Sequence, residues 1–223
     1  MHRRHWLAAA AGLGLGPPAT AQAPPAGPTA SNDPQPAGAR HNALEDAATN
    51  RAVDYPTLLR SHGLVVLLRH AVTESGIGDP PGYRLDDCSS QRQLSAEGRA
   101  QASRLGITLA ALGLRPAKVL SSRWCRCQDT ARLAFGRVAP WPALDSFFDA
   151  PEREPAQTAM LRTALAALVP GEVVAWVTHM VNVAALSGDS LAMGEALVLR
   201  AERAGDGSLR LLRLGRVGAS GRG

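Results

Sequence analysis

The chain has a single lysine, Lys118, among its 24 Lys and Arg residues, and only 4% of its residues are aromatic. No basic run is interleaved with aromatics, so the charged groove and stacking platforms of a nucleic-acid binder are missing and no such partner is expected. The net charge of +5 and the pI near 9.8 suit a small anionic substrate better than a polyanion. No internal repeat is visible, which excludes a solenoid or a propeller. The N-terminal apolar run, Trp6 to Gly16, is shorter than the roughly 20 residues of a membrane-spanning helix, so no stable membrane insertion is expected after processing. Cysteine is scarce, with three in 223 residues, and a chain of this length buries a sizeable core without covalent staples. Nothing in the sequence selects an oligomeric state.

The N-terminus has the layout of an export signal. His2, Arg3, Arg4 and His5 form a positive region, the apolar run follows, and Ala19-Thr20-Ala21 supplies the small residues of a cleavage site after Ala21. Arg3-Arg4 before Trp6-Leu7 also resembles a twin-arginine signal, which leaves the export route open. Residues 1–21 are thus expected to be removed, which places the mature protein in the periplasm or outside the cell. Residues 22–42, rich in Pro, Ala and Gly and without periodicity, predict a disordered tether. One folded domain is expected over 43–217, followed by a flexible tail at 218–223.

Within that domain, Leu64 to Leu68 is a continuous apolar run, the pattern of a strand buried on both faces, and it ends in Arg69-His70. Thr73 to Gln93 holds Gly76, Gly78, Pro80, Pro81 and Gly82 and predicts a long functional loop beside that strand end. Ser95 is the expected N-cap of a helix buried through Ala102, Leu105, Leu109 and Leu112 and stopped by Gly113. A strand over 117–121, a helix over 125–135, a short strand over 138–141 and a helix over 157–168 follow. Val173 to Val177 is a second buried run, ending in Thr178-His179. A short helix over 182–187 and a strand pair over 196–200 and 209–214 close the domain. Strands alternating with helices predict an α/β fold, a three-layer α/β/α sandwich on a mostly parallel sheet.

In such a sheet the carboxyl ends of the strands share one edge, which brings together His70, His179 and the helix starting near Cys125, with Arg126 on its first turn. Arginine forks and a helix N-terminus are suited to phosphate. The other four histidines lie in the N-terminal segments or in a short helix expected over 55–62. As zinc ligands, His70 and His179 have no third partner at a recognisable spacing, and no metal is expected.

Leu68-Arg69-His70-Ala71-Val72-Thr73, Ser121-Ser122-Arg123-Trp124-Cys125-Arg126-Cys127-Gln128-Asp129-Thr130-Ala131 and Val177-Thr178-His179, in this order, resemble the histidine phosphatase superfamily, the phosphoglycerate-mutase-like branch 1. The resemblance covers about 64–200. It implies a metal-independent phosphomonoesterase without cofactor, acting on a small phosphorylated substrate. His70 would be the nucleophile that forms a phosphohistidine, with Arg69, Arg126 and His179 holding the phosphate and Thr73 within reach of it.

Two positions depart from that pattern. Gly76 stands where the family often has Asn, and Ser146 where the mutase-like branch has its proton-donating Glu. The general acid is assigned to Asp149, with Asp145, Glu74 and Asp79 as rivals. A phosphohistidine-protein substrate needs no strong acid and stays open, as does a non-catalytic phosphate- or phosphosugar-binding module. A mutase fits poorly with an exported chain.

Cys125 and Cys127 point about 200° apart on a helix and cannot pair, which in an oxidising compartment leaves Cys88 to bond with one of them. The resemblance, in which position 127 is small and Arg126 faces the pocket, favours Cys88 with Cys125. Three unpaired thiols are the alternative.

Overall fold

The structure is a computed structural model that describes residues 53–218 apart from residue 77. The expected signal peptide and tether lie outside the described residues, as do 219–223 of the expected tail. The elements run α1 (Tyr55–Leu59), β1 (Leu64–Arg69), α2 (Ala96–Ala111), β2 (Lys118–Ser121), α3 (Cys125–Phe135), β3 (Ala139–Pro140), α4 (Glu154–Ala166), β4 (Val173–Thr178), α5 (Met180–Ser187), β5 (Glu195–Arg203) and β6 (Leu209–Gly218). Short 3-10 turns interrupt the loops at Cys88–Ser90, Pro142–Leu144 and Pro151–Arg153.

The six strands form one sheet in the order β3-β2-β4-β1-β5-β6. β3, β2, β4 and β1 are parallel, and β5 and β6 add an antiparallel edge. The alternation of β1 shows why its run is apolar throughout. Leu64, Val66 and Leu68 join Leu105, Leu109 and Ala131 of α2 and α3 on one face, while Val65 and Leu67 join Leu161, Leu165 and Val183 of α4 and α5 on the other. This is the expected three-layer α/β/α sandwich. Leu67 is fully buried, and truncating it to Ala would cost about 2–5 kcal/mol.

The caps follow from local chemistry. Ser95 accepts the Gly98 N–H at 3.0 Å and opens α2, and Gly136, at φ 72°, closes α3 in the left-handed conformation. Two expectations shift. Leu112 belongs to the cap beyond α2 and is 38% exposed, not part of its buried face. The helix expected from residue 157 starts at Glu154, because Pro155 in its first turn is tolerated there and the apolar periodicity begins only later.

Candidate active site

β1 and β4 are parallel neighbours in register, Arg69 opposite Thr178, and His70 donates its backbone N–H to the Thr178 carbonyl at 3.0 Å. The residues following the two strands, His70 and His179, therefore stand side by side, with ring centroids 5.5 Å apart. Both are buried, at 4% and 5% exposure. The Nδ1–H of His70 donates to the Ala71 carbonyl at 2.9 Å, an assignment that follows because a carbonyl can only accept. That bond fixes the ring and leaves the Nε2 lone pair outward; no described side chain bonds to it.

Arg126 projects from the first turn of α3 into the same space. Its position is tied to the loop after β1 through Thr130, whose hydroxyl accepts the Ala71 N–H at 3.0 Å and donates to the Arg126 carbonyl at 2.7 Å. Arg69 is held by the Leu191 carbonyl, 2.9 Å from its guanidinium. A third guanidinium, Arg92, comes from the long loop. Its charge acts on His70 together with those of Arg126 and Arg69, and it donates to the Gly76 carbonyl at 2.5 Å. Each of the three arginines keeps a buried Nε–H with no acceptor among the described residues.

Burial pushes the proton affinity of His70 down, to a pKa of about 3, and the arginine charges push the same way. His179 is driven well below its usual range by burial, then by His70 and the arginines. Two neutral imidazoles in a cationic pocket are suited to nucleophilic attack and hydrogen bonding, not to charge neutralisation.

Behind the ring of His179, Nε2 lies 2.8 Å from Ser122 Oγ and 3.4 Å from the thiol of Cys127. Ser122 Oγ also donates to Asp145 at 3.3 Å. Asp145, 2% exposed, accepts from the Arg123 backbone and guanidinium at 2.8 and 2.7 Å. Trp124 packs edge-on against His179, with centroids 5.3 Å apart.

The loop expected beside β1 lies over this pocket. Asp79 places both carboxylate oxygens on one nitrogen of Arg126, at 2.7 and 3.0 Å, and also accepts the Trp124 indole N–H and the Arg92 backbone N–H, each at 3.0 Å. Asp149 and Glu74 are exposed. Thr73 is buried, with its hydroxyl 4.0 Å from the sulfur of Met193. Cys88 and Cys125 form a disulfide, with Cα atoms 5.6 Å apart, and Cys127 is free and buried.

The structure thus brings His70, His179, Arg69 and Arg126 to one edge, as the strand pattern implies. One feature of the helix end differs. The amide of Cys125 is taken by the side chain of Gln91 at 2.9 Å, so this first donor of α3 is not free for an anion. Gln91 and Arg92 escaped the sequence reading because they sit in an aperiodic segment; a lone arginine two residues before a buried leucine carries no pattern. Among the described residues no three His, Cys, Asp or Glu side chains are grouped to hold a metal.

Residues 65–192 match the model of the histidine phosphatase superfamily (branch 1), and the chain belongs to that superfamily. Solved structures share the fold. The product of open reading frame Rv3214 from Mycobacterium tuberculosis superposes with a TM-score of 0.53 at 20% identity, over 71% of this chain and 99% of that one. The protein histidine phosphatase SixA complexed with tungstate gives 0.50 at 15% identity, over 70% and 97%. A protein described as mycobacterial hydrolase 2 gives 0.50 at 20% identity, over 69% and 89%. No curated protein sequence matches the chain. Membership of the superfamily supports phosphatase activity.

Proposed function

We propose that the protein is an exported phosphomonoesterase that transfers the phosphoryl group of a small substrate to His70 and then to water. The observation that carries this reading is the state of His70: a buried, neutral imidazole, fixed through Nδ1, with Nε2 unbonded among three guanidiniums. Nε2 attacks phosphorus, the bond to the ester oxygen breaks, and a phosphohistidine forms. Arg69, Arg126 and Arg92 neutralise the charge on the equatorial oxygens beside His179, so neither metal nor cofactor enters the scheme. Thr73 is assigned no more than a lining role near the phosphate.

His70→Ala is expected to abolish phosphate release from a generic aryl phosphate, and acid-labile but alkali-stable label is expected on His70 in the parent enzyme after quenching. Full turnover by His70→Ala would refute the mechanism. The disulfide supports export to an oxidising compartment. A mature chain that begins at Gln22 is the expected mass-spectrometric result, and one beginning at Met1 would refute it.

A further inference from the structure

The scheme above leaves the proton for the departing oxygen without a donor, and the pocket holds one carboxylate that no step has used. Ser146, where the branch has its Glu, has only a hydroxyl, which accepts the Phe148 N–H at 3.2 Å. Asp145 is committed to Arg123 and Ser122. Asp149 and Glu74 are exposed, and neither accepts a side-chain hydrogen bond among the described residues. Asp79, by contrast, has a side chain only 7% exposed and sits on the guanidinium assigned to the phosphate.

We propose that Asp79 is the catalytic acid and base of this site, protonating the departing ester oxygen and then deprotonating the water that opens the phosphohistidine. The inference rests on the reading of His70 as nucleophile. Both oxygens of Asp79 contact the same nitrogen of Arg126, so a phosphate drawn onto that guanidinium lies directly against the carboxyl group. The Trp124 indole and the Arg92 amide hold Asp79 in place independently of Arg126. The disulfide joins its loop to α3, the helix that carries Arg126.

The proton arrives with the substrate. Burial alone would raise the proton affinity of Asp79, but the Arg92 amide, Arg126 and Trp124 together hold it below the usual carboxylate range. A phosphate that takes over Arg126 removes part of that effect and adds negative charge alongside. The other charges around it are Arg92 and, across Tyr83, Asp149 and Arg153, while the two histidines are neutral. A phosphate ester has a second ionisation near about 6, so its monoanion carries one proton to give up. Transfer to Asp79 leaves the bound dianion and a carboxylic acid. As Nε2 bonds to phosphorus and the ester P–O bond breaks, the acid proton goes to the departing oxygen, releasing an alcohol and a carboxylate. Water then attacks the phosphohistidine, its proton passes to Asp79, the P–N bond electrons return to His70, and the proton leaves Asp79 on the departing phosphate, which restores the carboxylate.

The test compares Asp79→Asn and Asp149→Asn on 4-nitrophenyl phosphate, whose leaving group needs no acid, and on glycerol phosphate, whose alkoxide does. For Asp79→Asn the expected result is a loss of roughly 10²–10⁴-fold on glycerol phosphate. On the aryl ester a first-turnover burst of nitrophenol is expected to persist, with phosphohistidine accumulating because the base is gone. Equal first-turnover losses on both esters, or the leaving-group-dependent loss appearing in Asp149→Asn instead, would overturn the proposal. Asp79→Glu, which keeps carboxyl and ion pair, guards against misfolding: selective recovery on glycerol phosphate supports the assignment, and no recovery with a native melting temperature overturns it. Failure to trap phosphohistidine in the parent enzyme would remove His70 as nucleophile, and Asp79 with it.

Discussion

Ser122 Oγ lies 2.8 Å from Nε2 of His179, in a line that continues to the buried carboxylate of Asp145. The Ser122 proton goes to Asp145, so the Nε2–H of His179 donates to Ser122 and the lone pair of Nδ1 is left for a ligand. Ser122→Ala removes the contact without emptying a large volume. It is expected to lower kcat/KM about tenfold, matching the roughly 1.4 kcal/mol of a buried hydrogen bond, with the melting temperature little changed. Steady-state kinetics beside thermal unfolding checks this, and unaltered kcat/KM would show that His179 needs no orienting partner.

Arg92 is expected to act in binding. Arg92→Met keeps the aliphatic stem and removes a charge-assisted donor worth about 1.5–3 kcal/mol, so KM and the inhibition constant of inorganic phosphate should rise about tenfold or more. A change confined to kcat would contradict that role.

Reduction of Cys88–Cys125 is expected to cost about 4 kcal/mol of stability, the unfolded-chain entropy released by opening a closure between residues 37 apart. Urea unfolding of the Cys88→Ala/Cys125→Ala pair measures it. A rise in KM should accompany the loss, because Asp79 and Arg92 belong to the loop that the bond secures.

Cys127 is expected to resist alkylation in the native state. It is fully buried, and burial pushes its thiol up to about 12, so almost no thiolate exists at neutral pH. Mass spectrometry after iodoacetamide without reductant should show no added group until denaturant is present, and then one.

Acid should destabilise the fold in a window set by the two site histidines. Both bind a proton more weakly folded than unfolded, so as pH falls below about 6.5 the unfolded chain takes up protons first. The His70 contribution is complete above that value and declines by up to about 1.4 kcal/mol per pH unit towards about pH 3. Urea midpoints at pH 7 and 5 should differ less in His70→Ala than in the parent, and an equal difference would rule His70 out as a cause.

The parts of the site that lie at strand ends were legible in the sequence. His70 and His179 close the two longest buried runs, and parallel pairing in register leaves them no other place than the same edge. Arg126 was legible because helix α3 starts directly after β2. Asp79 and Arg92 come together through one hydrogen bond across 13 positions of aperiodic chain, the Arg92 amide to the Asp79 carboxylate, and no period or propensity reports such a contact. The engagement of the Cys125 amide by Gln91 was hidden for the same reason. Leu112 shows the opposite limit, since helical spacing continued one residue further than the helix itself.

Helix α2 approaches its neighbours through glycine at two points. A methyl group on Gly98 would stand 1.8 Å from the Val72 carbonyl oxygen, and one on Gly106 2.0 Å from that of Ala134 at the end of α3. α2 is thus a spacer of fixed thickness between the loop after β1, which holds His70, and the helix that carries Arg126, and neither face tolerates a shim. The separation between the loop after β1 and the helix that carries Arg126 is therefore set by two missing side chains, and an alanine at either glycine would force one of them to move.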